Sequence, residues 1–169
     1  MKKVPDLLTA SRGIIATVIV VLGLVGPRAL EAVILLIILG WTTDILDGRF
    51  ARRFNKQSTW IGEREFAFDM VMVFSGLCYL VMAGFVPVIP AVVYAGISAV
   101  FIIYFRSKAV TMSFACPVVA LPLVVAYFHA PRAAALFVVW ICLAIVFDWR
   151  RFKGVVLEFI QNTKALAKR

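Results

Sequence analysis

Charge is what this sequence has least of. Asp, Glu, Lys and Arg together make up 16% of its 169 residues, while 63% are apolar. A water-soluble domain carries about 25% charged and about 45–50% apolar residues. Too few polar side chains are present to cover a surface in water, which excludes a soluble globular fold, a disordered chain and a coiled coil. Histidine occurs once, at His129. The three cysteines, Cys78, Cys116 and Cys142, stand in separate apolar stretches without the spacing of metal ligands, so they read as packing residues. No internal repeat, low-complexity tract or strand-like alternation is present. The class that remains is an all-α integral membrane protein.

Charge-free runs, punctuated by Gly84, Pro87 and Pro90, place six membrane-spanning helices near 9–27, 29–53, 63–84, 88–106, 109–128 and 132–149. Backbone groups in lipid must be satisfied within their own segment, which requires helices. The basic residues give the orientation. With six crossings, 16 of the 18 Lys and Arg fall on one side, and the other side keeps only Arg28 and Arg132. That asymmetry predicts cytoplasmic N- and C-termini in an inner membrane. The net charge of +9 is then a topology signal and an attraction to anionic lipid, not a nucleic-acid footprint. Residues 1–149 read as one membrane domain. Residues 150–169 read as a basic cytoplasmic tail, in which Phe152, Val155, Val156, Phe159 and Ile160 recur at helical spacing, as in an amphipathic helix lying on the interface. Met1-Lys2-Lys3 opens the chain, but no small-x-small cleavage pattern follows, so the start reads as mature sequence.

Acidic residues number nine, and five of them, Asp44, Asp47, Glu63, Glu65 and Asp69, fall between positions 44 and 69. Asp44, Asp47, Gly48 and Ala51 follow the i, i+3, i+4, i+7 spacing of one helix face, and Glu65 and Asp69 the i, i+4 spacing of the next. Two helices can therefore present two carboxylates each to one point. Such a cluster repels itself unless a cation sits within it, and oxygen donors without His or Cys suit Mg²⁺ or Mn²⁺. The small residues Gly48 and Ala51 leave room for a ligand, and Arg49, Arg52, Arg53 and Lys56 follow at once, which suits phosphate. Carboxylates, a hard cation and arginines at a membrane surface read together as phosphoryl-group chemistry on a lipid.

The stretch Asp44-Ile-Leu-Asp47-Gly48-Arg-Phe-Ala51-Arg52 resembles the signature of the CDP-alcohol phosphotransferase family, D-x2-D-G-x2-A-R-x8-G-x3-D-x3-D. Counting on, Ile61 stands where the pattern has Gly, Glu65 where it has Asp, and Asp69 matches. Pro5-Asp6-Leu7-Leu8-Thr9-Ala10-Ser11-Arg12 is similar to the family's opening P-N-x-[LI]-T-x-x-R, with Asp6 in place of Asn. Arg106-Ser107-Lys108-Ala109-Val110-Thr111 is similar to a basic region of the phosphatidylglycerophosphate-synthase branch.

The resemblance implies metal held by Asp44, Asp47, Glu65 and Asp69, with Asp69 also the general base. It implies a CDP-linked lipid such as CDP-diacylglycerol, or another CDP-alcohol, bound over Gly48, Ala51 and Arg52. An alcohol acceptor attacks the lipid-side phosphorus and CMP leaves. Arg106 and Lys108 would bind a phosphate on the acceptor. The family further implies a homodimer among membrane lipids, with its active site facing the cytoplasm. A different class of reading also stands at this stage: a relative without turnover, serving as a lipid-binding or structural subunit of a membrane complex.

Overall fold

The computed structural model describes residues 4–53 and 65–167, and all the regular structure in them is helical. In chain order the helices are α1 (Val4–Leu22), α2 (Leu30–Arg53), α3 (Glu65–Met82), α4 (Val88–Phe105), α5 (Lys108–His129), α6 (Pro131–Phe147) and α7 (Trp149–Ala167). A short 3-10 turn, Gly26–Ala29, joins α1 to α2.

Helix ends follow local chemistry. α1 begins at Val4, earlier than its apolar run, because Pro5 is tolerated in a first turn whose N–H groups have no helical partner. It stops at Leu22, short of the expected 27. There i→i+3 bonds tighten the chain from Gly23 to Val25, and Gly26 then takes φ +79°. α3 closes in a Schellman motif. The Phe85 N–H donates to the Leu80 carbonyl at 2.9 Å, the Gly84 N–H to the Val81 carbonyl at 3.1 Å, and Gly84 sits at φ +80°. Pro131 opens α6 at its first turn.

The exterior differs from that of a soluble protein. Thr9, Arg12, Ser75, Ser98 and Thr111 are buried, while Leu24, Ile89, Val92, Val100, Ile103 and Phe128 are exposed. Such a bare apolar exterior marks a surface that meets lipid. The main core lies among α1, α2 and α3 and extends to α5 and α6. Ile15, Ile19, Val33, Ile34, Ile37, Tyr79, Leu80, Ala126, Ala134 and Phe137 belong to it. α2 and α3 approach closely at Gly40, where a Cβ would run into the Met72 thioether. α4 is tied to α5 through the Tyr94 hydroxyl, which donates to the Phe114 carbonyl at 2.8 Å.

Three described stretches are long and apolar enough to cross a membrane: Gly26–Leu46, Val88–Phe105 and Ala109–His129. A fourth follows if Pro131–Phe147 and Phe152–Lys164, which are bent by 87°, count as one span. The apolar parts of α1 and α3, Thr9–Leu22 and Phe68–Met82, are shorter than a crossing needs. Each of those helices carries ionisable residues in its early turns, Arg12 in α1 and Glu65 and Asp69 in α3, where a crossing would have apolar ones. By length and composition, the described helices thus hold three or four candidate spans, with two shorter apolar helices packed among them. α7 leaves Phe152, Val155, Val156 and Ile160 exposed, and its Lys153 ammonium sits over the Trp149 ring, 5.3 Å from the centroid.

Candidate active site

Three helices meet at one guanidinium. Arg12, on α1, is 1% exposed. Its Nη1 donates to Asp44 Oδ1 on α2 at 2.8 Å, and the same nitrogen donates to Asp69 Oδ1 on α3. Its Nη2 donates to the Thr9 hydroxyl, one helical turn back, at 3.3 Å. A buried guanidinium is stable only when charge-paired and hydrogen-bonded. Here the pairing draws in one carboxylate from each of the two helices that the acidic pattern singled out. Asp44 is 24% exposed and Asp69 38%, so both sit at the border between packed helix and open space.

That space is a cavity of about 200 Å³. Arg12, Asp44 and Asp69 form its polar side, and Gly40, Trp41, Met70, Met72, Val73, Ala115 and Val119 form the rest. The absence of a side chain at Gly40 leaves the place taken by Met72. A narrower cavity of about 20 Å³ between α3, α4 and α5 shares Met70, Val73 and Ala115 with it and is almost wholly apolar. The site therefore has one charged wall and one oily wall, the division a ligand with a charged head and an apolar body requires.

Two contacts hold α6 against the site-bearing end of α2. The Trp140 indole N–H donates to the Thr42 hydroxyl at 3.0 Å, and the Thr42 hydroxyl donates to the Ile38 carbonyl at 2.7 Å. Further along, Arg49 donates to the Phe147 carbonyl at 2.9 Å. Arg49 is thus engaged at the C-terminal end of α6, where a cation meets the helix dipole favourably.

Of the expected site residues, Asp44 and Asp69 come together at Arg12. Asp47, Gly48, Ala51 and Arg52 belong to the continuous α2, and Glu65 opens α3, but their side chains lie outside the described residues, as do Lys108's. Ile61 lies outside them altogether. Arg106 is exposed and caps α4 in the left-handed conformation, at φ +44°, and it does not line the cavity that holds Asp44 and Asp69. His129 stacks edge-on with Phe85 at 4.8 Å, its Nδ1 3.0 Å from the Val125 carbonyl, at the end of α5 remote from Ala115 and Val119. The sequence placed Arg12 among the topology charges and at the end of the family-like opening Pro5–Arg12, without giving it a role beside the carboxylates. The signal that distinguishes it was available: the residue is a lone cation between Leu7-Leu8 and Gly13-Ile14-Ile15, inside the apolar helix, where ionisable groups are functional by default.

The donor chemistry fits a hard cation. Among the described residues no three carboxylate, imidazole or thiolate side chains gather in one place. The two acidic groups that do meet are carboxylates, partly open to the cavity, with Asp47 one turn from Asp44 and Glu65 one turn from Asp69 on the same helices.

Apolar helices that bring Asp44 and Asp69 together at Arg12 suit chemistry on a lipid, and the comparison with known families gives the class. The CDP-alcohol phosphatidyltransferase profile matches residues 2–160, and the chain belongs to that family. Members transfer a phosphatidyl group from a CDP-alcohol in membranes, generally with a divalent metal. No curated protein and no solved structure matches the chain.

Proposed function

We propose that this protein transfers a phosphatidyl group from CDP-diacylglycerol, or another CDP-alcohol, to an alcohol acceptor and releases CMP, using Mg²⁺ or Mn²⁺. The observation that carries this reading is the meeting of Asp44 and Asp69 at Arg12, on the rim of a cavity whose opposite wall is apolar. The apolar wall of Met70, Val73, Ala115 and Val119 suits an acyl chain, and the charged rim suits the pyrophosphate. Asp44, Asp47, Glu65 and Asp69 would hold the metal. When bound, it neutralises pyrophosphate charge and so eases loss of CMP.

The chain's own residues do the rest. Gly48 and Ala51 leave space beside α2 for the nucleotide, and Arg52 offsets phosphate charge. Asp69 is the more open of the two described carboxylates and takes the proton of the acceptor hydroxyl. The freed oxygen forms its bond to the lipid-side phosphorus as the bond from that phosphorus to the CMP oxygen breaks. Arg106 and Lys108 bind a phosphate on the acceptor. Six crossings, both termini in the cytoplasm, α7 on the inner leaflet and a homodimer complete the reading. The basic residues support the orientation.

The test is CMP release by purified protein given CDP-diacylglycerol, Mg²⁺ or Mn²⁺ and a panel of alcohols that includes glycerol 3-phosphate, an inositol phosphate and serine. Release with at least one acceptor is expected. Silence with all of them, in the presence of bound CDP-lipid, would sink the transferase reading.

A further inference from the structure

We propose that Arg12 is a resident cation of this site. It holds Asp44 and Asp69 together, and a divalent ion would compete with its guanidinium for their oxygens. The proposal rests on the reading of the site given above, and it assigns to an α1 side chain a role in how that site is loaded.

Three observations lead to it. Arg12 is 1% exposed, so its charge is held by protein groups and not by bulk water. One nitrogen, Nη1, takes an oxygen from each of two carboxylates on different helices. Those carboxylates are otherwise partly open to the cavity, and two like charges drawn to one point repel unless a cation lies between them. The guanidinium is therefore placed where a cation is electrostatically needed.

A competition follows. Mg²⁺ requires carboxylate oxygens at about 2.1 Å in a near-octahedral shell and tolerates little distortion. An oxygen engaged by a charged guanidinium is a poorer ligand, and the positive charge beside it repels the ion. Arg12 thus stabilises the carboxylate pair and weakens metal binding, acting as a positioning residue. A purely structural Arg12 predicts the opposite sign for the second effect, because its loss would scatter the ligands and weaken the metal.

The experiment uses the full chain in detergent, as wild type, Arg12→Gln and Arg12→Lys. Mn²⁺ affinity is read from the loss of free-ion signal in electron paramagnetic resonance, and thermal unfolding is followed with and without Mn²⁺. Without metal, Arg12→Gln should melt below wild type. It should bind Mn²⁺ at least about tenfold more tightly, since the repulsion between the guanidinium and a divalent ion is no weaker here than in water. Its metal-induced rise in Tm should exceed that of wild type. Arg12→Lys keeps the charge and should bind Mn²⁺ within about threefold of wild type. Equal or weaker binding by Arg12→Gln overturns the proposal and leaves the transferase reading standing. If Arg12→Gln folds only when Mn²⁺ is supplied, the metal has replaced the guanidinium and the proposal is supported. If it folds neither with nor without Mn²⁺, the role is structural and the proposal fails. Absence of Mn²⁺ binding by wild type and both variants would remove the metal-centred reading together with the proposal.

Discussion

The Trp140 indole hydrogen-bonds the Thr42 hydroxyl at 3.0 Å, two residues before Asp44 on the same helix. The contact joins α6 to the part of α2 that faces the cavity. Trp140→Phe keeps most of the ring's packing and removes the donor, while Thr42 keeps its bond to the Ile38 carbonyl. The expected cost is about 0.5–1.5 kcal/mol, the net value of one hydrogen bond. It should appear as a lower Tm in detergent with CMP release reduced by less than about tenfold. An unchanged Tm would show that the two helices hold their places without this bond.

Gly40 has a packing role that can be read separately. A Cβ there meets the Met72 thioether, which is flexible and can yield, whereas the branched side chain of Gly40→Val cannot be accommodated so cheaply. Gly40→Ala should cost little, and Gly40→Val about 1–3 kcal/mol, the usual penalty of overpacking. The melting temperatures of the pair check this. A Gly40→Val protein as stable as wild type would mean that α2 and α3 separate more readily than their packing indicates.

The carboxylate chemistry is tested at Asp69 and Glu65. Asp69→Asn removes a ligand charge and the proton acceptor, and CMP release should fall by at least about a hundredfold. Glu65→Asp restores the shorter carboxylate of the family signature and should keep or raise the rate, and combining it with Ile61→Gly should raise it further. A rate that survives Asp69→Asn would refute the assigned base while leaving family membership intact.

Orientation is tested by labelling. In a chain whose Cys78, Cys116 and Cys142 are replaced, single cysteines at positions 2 and 168 should resist a membrane-impermeant maleimide added to intact cells, and a cysteine beside Arg132 should react. Reaction at position 2 or 168 would reverse the topology.

Much of the helical order was legible because Gly and Pro punctuate long apolar runs. Gly84 and Pro87 separate α3 from α4, and Pro131 starts α6. The number of crossings was harder to read. Apolar composition marks a mostly exposed helix such as α4 more plainly than α1 and α3, whose turns also carry the ionisable groups of the site. The pairing of Asp44 with Asp69 followed from helical periodicity, which places residues on a face. Arg12 was missed as their partner for a related reason. Periodicity within one helix is silent about which third helix crosses there, and an arginine near the N-terminus satisfies the topology rule equally well. Arg49 adds a contact that sequence adjacency does not show, since its position on α2 carries it to the Phe147 carbonyl.

The 87° bend between α6 and α7 has a mechanical consequence. If α7 lies in the interface as proposed, a helix set crosswise to its predecessor, with Phe152, Val155, Val156 and Ile160 uncovered, would act as an outrigger that resists sinking or rising of the bundle in the bilayer. Arg49 ties the Asp44-bearing helix to the root of α7, so on that reading the depth of Asp44 would be gauged by where α7 floats. Membranes whose interfaces differ in thickness or headgroup crowding would then meet the same carboxylates at different depths.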